Sequence, residues 1–120
     1  MNYNIKGTHL DISDELRSYA ERKLAVADKF LANDPTAHAN IELHYLPEGR
    51  SGKYRAEFTV SASGEVYRAE SWGSTMHEAL DAAGGELQEE LSRDKKKKQS
   101  VLRRTSVKVK EYLRGWRERI

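Results

Sequence analysis

Apolar and polar residues alternate at the start of the chain, Tyr3 and Ile5 against Asn4 and Lys6, the period of a short strand. From Leu16 the period changes to steps of three and four. Tyr19, Ala20, Leu24, Ala27 and Phe30/Leu31 then trace one apolar stripe of a helix. Ser13 is placed to cap that helix with its hydroxyl, and Asp14 and Glu15 fall in the first turn, where negative charge suits the helix dipole. Asn33-Asp34-Pro35 ends it. Period two then returns three times. Ile41, Leu43 and Tyr45 oppose Asn40, Glu42 and His44. Tyr54, Ala56, Phe58, Val60 and Ala62 oppose Arg55, Glu57, Thr59 and Ser61. Tyr67, Ala69 and Ser71 oppose Arg68 and Glu70. Leu46 to Gly52 is a loop by composition, and Ser63-Gly64 is a tight hairpin signal.

A second helix begins near Ser74/Thr75, with Thr75 and Glu78 at capping-box spacing and Met76, Leu80, Ala83, Leu87 and Leu91 as its buried stripe. Gly84-Gly85 lies inside it, at about 1 kcal/mol per glycine relative to alanine; the sequence gives no reason for the pair, and close packing against the sheet or the first helix is one reading of it. The order β-α-β-β-β-α predicts an α+β fold: a two-layer sandwich with one mainly antiparallel four-stranded sheet and two helices on one face. The other sheet face stays polar. Residues 1–98 are expected to form this domain, and 99–120 a basic C-terminal tail. In the tail Leu102, Val109, Tyr112/Leu113, Trp116 and Ile120 have the spacing of an amphipathic helix with no place in the core.

Charge changes the picture most. Residues 1–92 hold nine Lys/Arg and sixteen Asp/Glu; residues 93–120 hold twelve Lys/Arg and only Asp94, Glu111 and Glu118. The net +2 of the whole chain conceals an acidic body with a cationic end. Such an end suits a polyanion, because cations on phosphates release condensed counterions and gain affinity without reading sequence. The chain has no cysteine, which removes disulfides and thiolate sites and fits a reducing cytoplasm. Neither a signal-peptide pattern nor an apolar run of membrane-spanning length is expected from the sequence.

Few motifs carry chemistry. His77-Glu78-Ala79-Leu80-Asp81 opens like a zinc-protease helix but has Asp81 where a second histidine is needed, so no metal is expected. Gly49-Arg50-Ser51-Gly52 matches a phosphate-clamping loop, but it joins two strands rather than two helices and reads as a plain loop. Nucleophile, Walker and dinucleotide patterns are absent, so neither an enzyme nor a cofactor is expected. Tyr19, Phe30, Tyr45 and Phe58 sit on core stripes, whereas Trp72 falls on the exposed parity and could stack on a base or cover the sheet edge. The candidate RNA-binding residues are Arg22, Lys23 and Lys29 on the first helix and Lys53 and Arg68 on or beside strands. Arg93, Lys95, Lys96, Lys97 and Lys98 extend the second helix, and Arg103 and Arg104 follow.

Along residues 1–98 the chain resembles the ribosome hibernation promoting factors, also called ribosome-associated inhibitors or ribosomal subunit interface proteins. The resemblance rests on Lys6-Gly7 after the opening strand, Tyr19 to Leu24, Asp28-Lys29-Phe30, Tyr54 to Phe58, Tyr67 to Glu70 and Thr75 to Asp81. It implies a fold akin to double-stranded RNA-binding domains. It also implies binding to the 30S subunit and 70S ribosome through 16S ribosomal RNA, in the decoding region, where the protein would cover the messenger and transfer RNA sites of idle ribosomes. Basic positions of the family carry over at Lys23, Lys29, Arg93, Lys95 and Lys97. They do not at Glu86, Glu89 and Ser92, and His77 stands where relatives have tyrosine. Long members carry a C-terminal dimerisation domain, which this length does not accommodate, so a monomer off the ribosome is expected. The competing readings are a general double-stranded RNA binder, a membrane-surface protein using the basic stripe of 102–120, and a small-molecule enzyme. The thin apolar stripe speaks against the membrane.

Overall fold

The computed structural model describes residues 1–47 and 53–118, with side chains described through Ser100. Gly49–Gly52, the phosphate-clamp match, lies outside the described residues, as does Ile120. Strand β1 (Asn2–Thr8) is followed by α1 (Asp14–Leu24), a 3-10 turn (Ala25–Ala27) and α2 (Asp28–Leu31). Then come β2 (His38–Tyr45), β3 (Tyr54–Ala62), β4 (Glu65–Gly73) and α3 (Met76–Glu118). The expected α+β order is realised as one four-stranded sheet in the order β1-β2-β3-β4. β2–β3 and β3–β4 are antiparallel, whereas β1 runs parallel to β2, with Ile5 beside Ile41. A parallel neighbour requires a crossover connection, and α1 with α2 supplies it.

Strand alternation sorts the two sheet faces. Ile41, Leu43, Ala56, Phe58, Val60, Tyr67 and Ala69 point into the helical layer and are buried, joined there by Ala20, Leu24, Leu80, Ala83, Leu87 and Leu91. The other face carries, row by row in register, Asn4–Asn40–Thr59–Arg68, Lys6–Glu42–Glu57–Glu70 and Thr8–His44–Arg55–Trp72. Three carboxylates in one row repel one another. The Arg55 guanidinium relieves this, donating to Glu57 at 2.5 Å and to Glu70 at 2.7 Å. It also lies 6.0 Å from the centre of the Trp72 ring, which stays 42% exposed on this face.

Local signals act largely as the sequence expects. The Ser13 hydroxyl accepts from the Leu16 N–H at 3.1 Å. Ser63 and Gly64 both take positive φ, 50° and 81°, the left-handed pair that a two-residue hairpin turn needs. Thr36 and Asp34 bind this turn from the β2 side: the Ser63 N–H donates to Thr36 Oγ1 at 2.8 Å, and the Ser63 hydroxyl to Asp34 Oδ2 at 2.6 Å. The capping box is half formed. Thr75 Oγ1 accepts from the Glu78 N–H at 3.1 Å, but the Glu78 carboxylate takes the Ser74 hydroxyl at 2.7 Å instead of closing back on the Thr75 backbone. The first helix is not continuous either. The tighter turn at Ala25–Ala27 keeps Leu24 and Ala27 buried and brings Phe30 and Leu31 against α3 near Leu91.

The glycine pair has two different surroundings. A Cβ on Gly84 would stand 3.3 Å from Lys23 Cβ, so this glycine lets α1 approach α3 closely. A Cβ on Gly85 meets nothing within 4 Å. Gly85→Ala therefore gains helix propensity without a clash and is expected to stabilise the protein by roughly 0.5–1 kcal/mol. Gly84→Ala should gain less, because Lys23 must move. Urea unfolding midpoints of the two variants check this ordering.

Candidate nucleic-acid interface

α3 changes character along its length. Its N-terminal part presents Glu78, Asp81, Glu86, Glu89 and Glu90, and cations dominate from Arg93 onward. Arg93, Lys95, Lys96 and Lys97 are exposed and make no ion pair among the described residues. Lys29 on α2 approaches the same end of the helical layer. It shares with Lys98 a depression that also contains Phe30 and Tyr67. The Lys95 ammonium lies 5.8 Å from the Phe30 ring centre, a cation–π contact that holds this side chain across the α2–α3 junction. Lys29 and Lys95 thus both border Phe30, whereas Arg93 and Lys97 line a separate depression with Glu65, Glu90 and Asp94, at the same end of the helical layer.

Lys98 belongs to the same turn but is engaged within the protein. Its ammonium lies 3.1 Å from Glu65 and 3.1 Å from Asp94. The Tyr67 hydroxyl lies 2.6 Å from each of the same two carboxylates. Burial, then the bonds to Asp94 and Glu65, push the Tyr67 phenol well above its ordinary value. This cluster fastens the start of β4 to α3 where the helix leaves the sheet. The Asp94–Lys98 spacing of four residues is visible in the sequence; the contribution of Tyr67, across the layer, is not.

The other candidates lie elsewhere. Arg22 and Lys23 sit near the start of α3, 5.2 and 5.3 Å from the Tyr19 ring centre. Lys23 is bound to Asp81 at 2.7 Å, and the Tyr19 hydroxyl donates to the same carboxylate. His77 packs edge-on to Tyr19, with ring centres 4.4 Å apart. Arg68 lies on the opposite sheet face, with Asn4, Lys6, Asn40 and Thr59. Lys53 precedes β3, whose first residue pairs with Gly73, so it lies at the far end of the sheet from Lys98. Arg103 and Arg104 continue α3, and their side chains lie outside the described residues. The twelve cations therefore do not form one surface. Lys23 and Lys98 are neutralised at home, and Arg68 faces away.

Glu86, which stands where the family resemblance implies a base, has a structural partner. Its carboxylate accepts from the Glu70 N–H at 3.3 Å, a backbone donor on the outer edge of β4. Unpaired edge donors invite pairing with another chain, and a side chain that occupies one blunts the edge. No group of three or more His, Cys, Asp or Glu is arranged to hold a metal ion among the described residues.

Four carboxyls are held below the usual range: Asp81 by Lys23 and then Tyr19, Asp94 by Tyr67 and then Lys98, Asp34 by Ser63 and then Thr36, and Glu70 by Arg55. A carboxyl with a lowered folded pKa contributes stability that is complete above its unfolded value, about 4, and is lost as pH falls through the folded value. The urea midpoint should stay level from about pH 7 to 5 and drop below about pH 4. The double variant Asp81→Asn, Asp94→Asn should start lower and drop less; an equal drop would remove these two carboxyls from the account.

Comparison with known proteins gives a consistent picture. The sequence profile described as Sigma 54 modulation protein / S30EA ribosomal protein matches residues 3–99. The ribosome hibernation promoting factor of Acidithiobacillus ferridurans is 30% identical over 81 residues, covering 68% of this chain and all of that protein. The Bacillus subtilis ribosome hibernation promotion factor is 26% identical over 97 residues, covering 81% of this chain; the match spans half of that protein's length. Among solved structures, the N-terminal domain of Thermus thermophilus protein Y superposes with a TM-score of 0.65 at 32% identity, covering 78% of this chain and 98% of that one. With the matching profile covering more than half of its residues, this chain belongs to the Sigma 54 modulation protein / S30EA ribosomal protein family.

Proposed function

We propose that this chain is a non-enzymatic hibernation factor that binds the small ribosomal subunit at its decoding region, through 16S ribosomal RNA. There it excludes messenger and transfer RNA from idle ribosomes in the cytoplasm. The observation that carries this reading is the gathering of Lys29, Arg93, Lys95, Lys96 and Lys97 at one end of the helical layer of an otherwise acidic domain. Such a patch attracts phosphates by charge and shape, the mode expected for folded RNA. Family membership and the names of the relatives favour the ribosome as the RNA concerned. Arg22 on α1 and Lys53 before β3 would contribute secondary contacts away from this end.

Co-sedimentation with 70S ribosomes over a salt series tests the reading. Expected are co-migration with 30S subunits and 70S ribosomes, loss of binding as salt rises, and competition by messenger RNA with transfer RNA. Equal affinity for a plain RNA duplex would reassign the chain as a general double-stranded RNA binder. Failure to co-migrate at low salt would overturn the ribosomal reading.

A further inference from the structure

Phe30 lies on α2, just past the tighter turn at Ala25–Ala27, and packs only partly against the core. The rest of its ring borders two adjoining depressions. One, of about 450 Å³, is also lined by Lys29, Leu31, Pro35, Ala62 and Lys98. The other, of about 250 Å³, is lined by Leu31, Leu91, Lys95, Lys98 and Gln99. The larger falls within the range of about 300–1,000 Å³ in which proteins hold small organic groups.

The cleft has an apolar floor and a cationic rim. Ala62 and Leu91 are buried, Phe30 and Leu31 half-buried, and Lys29, Lys95 and Lys98 exposed around them. The two carboxylates beside them are already engaged. Asp34 accepts from the Thr36 N–H at 2.9 Å, and from the Thr36 and Ser63 hydroxyls at 2.6 Å each. Asp94 takes the Tyr67 hydroxyl at 2.6 Å and the Lys98 ammonium at 3.1 Å. Lys29 and Lys95 make no ion pair among the described residues, so two positive charges stand free over an apolar surface.

Duplex RNA does not call for this arrangement. Its wide, shallow minor groove displays hydroxyls and phosphates, which lysines reach from any exposed ridge. A nucleotide out of the stack does call for it. Such a nucleotide presents a flat π face and an anionic phosphate side by side, and each has a counterpart here. The Lys95 ammonium now stands over Phe30, 5.8 Å from the ring centre. A base entering there takes over the ring and leaves that ammonium to the phosphate. Asn33 borders the larger depression and Gln99 the smaller, and each amide offers both donors and an acceptor to a base edge. An acidic protein segment would use the cations but leave the apolar floor uncovered.

We propose that the cleft around Phe30, between α2 and α3, holds one unstacked nucleotide of a bound RNA strand, its base against Phe30 and Leu31 and its phosphate on Lys29 and Lys95. The inference rests on the reading of this chain as an RNA binder. It adds that the RNA contacted is locally unpaired, and that an apolar surface shares the work with charge.

Fluorescence anisotropy of the full chain with three RNA hairpins tests this: one with a single bulged nucleotide, the same hairpin with that nucleotide made abasic, and the fully paired hairpin. The bulged RNA should bind about five- to tenfold tighter than the abasic one, and the abasic one about as tightly as the paired one. The change is made in the RNA, so a folding defect cannot produce it. Phe30→Leu keeps an apolar side chain on the core and should shrink the preference below about twofold. Lys29→Gln with Lys95→Gln should weaken all three RNAs and lower the salt slope by about two. Equal affinity for the bulged and abasic hairpins, or a preference that survives Phe30→Leu, would overturn the proposal. So would a polyaspartate peptide or free adenosine monophosphate binding as tightly as the bulged hairpin, in favour of an acidic protein segment or a free nucleotide. Co-sedimentation with 70S ribosomes separates this inference from the ribosomal reading. Ribosome binding without the preference sinks only the former, and the preference without ribosome binding sinks only the latter.

Discussion

Replacing Arg93, Lys95, Lys96 and Lys97 together with glutamine is expected to lower the slope of log affinity against log salt for ribosomes by about three to four. These four side chains are exposed and without ion pairs among the described residues, so their charge is available to phosphates rather than to the protein's own carboxylates. Their removal should leave folding intact, since the core stripe of the domain ends at Leu91. Lys98→Gln separates the two roles of this turn. Lys98 neutralises Glu65 and Asp94, so its loss should lower stability with little change in salt slope. Pull-down of 70S ribosomes at several salt concentrations, alongside urea unfolding of the same variants, reads both. An unchanged slope in the fourfold variant would remove this patch as the contact surface.

Phe58→Ala is expected to destabilise the protein by about 3–5 kcal/mol. Phe58 is fully buried and stands in the centre of β3, between Ile41 on β2 and Ala69 on β4. Deleting its ring removes apolar contact and leaves a cavity in the middle of the sheet, where neither strand can collapse without losing register. A small domain has only about 5–15 kcal/mol in total, so the variant approaches the threshold of unfolding. The urea midpoint and near-ultraviolet circular dichroism measure the loss. A cost below about 1 kcal/mol would mean that the layer repacks far more freely than interiors of ordinary density do.

Much of the fold is legible because its signals are local. Alternation marks the strands, and Ser13, Ser63-Gly64 and Thr75 act within a few residues of themselves. The parallel pairing of β1 with β2 is less visible, because the partners are joined through the whole crossover. The interruption at Ala25–Ala27 has no breaker residue to announce it; burial of Leu24 and Ala27 accompanies it. The site was harder to read for a related reason. Sequence lists the cations, but whether each is available depends on carboxylates brought in by tertiary structure. Lys23 meets Asp81 from the other helix, and Lys98 meets Glu65 from β4. Strand parity alone separates Arg68 from the helical face, a signal present in the sequence but overridden there by its charge.

The Glu86 contact with the Glu70 backbone has an implication for how such a protein can evolve or be engineered. A lysine at that position would add to the cationic surface, yet it would uncover a hydrogen-bond donor on an outermost strand. Affinity for a polyanion and protection of the edge therefore compete for a single side chain, and here the edge donor is covered.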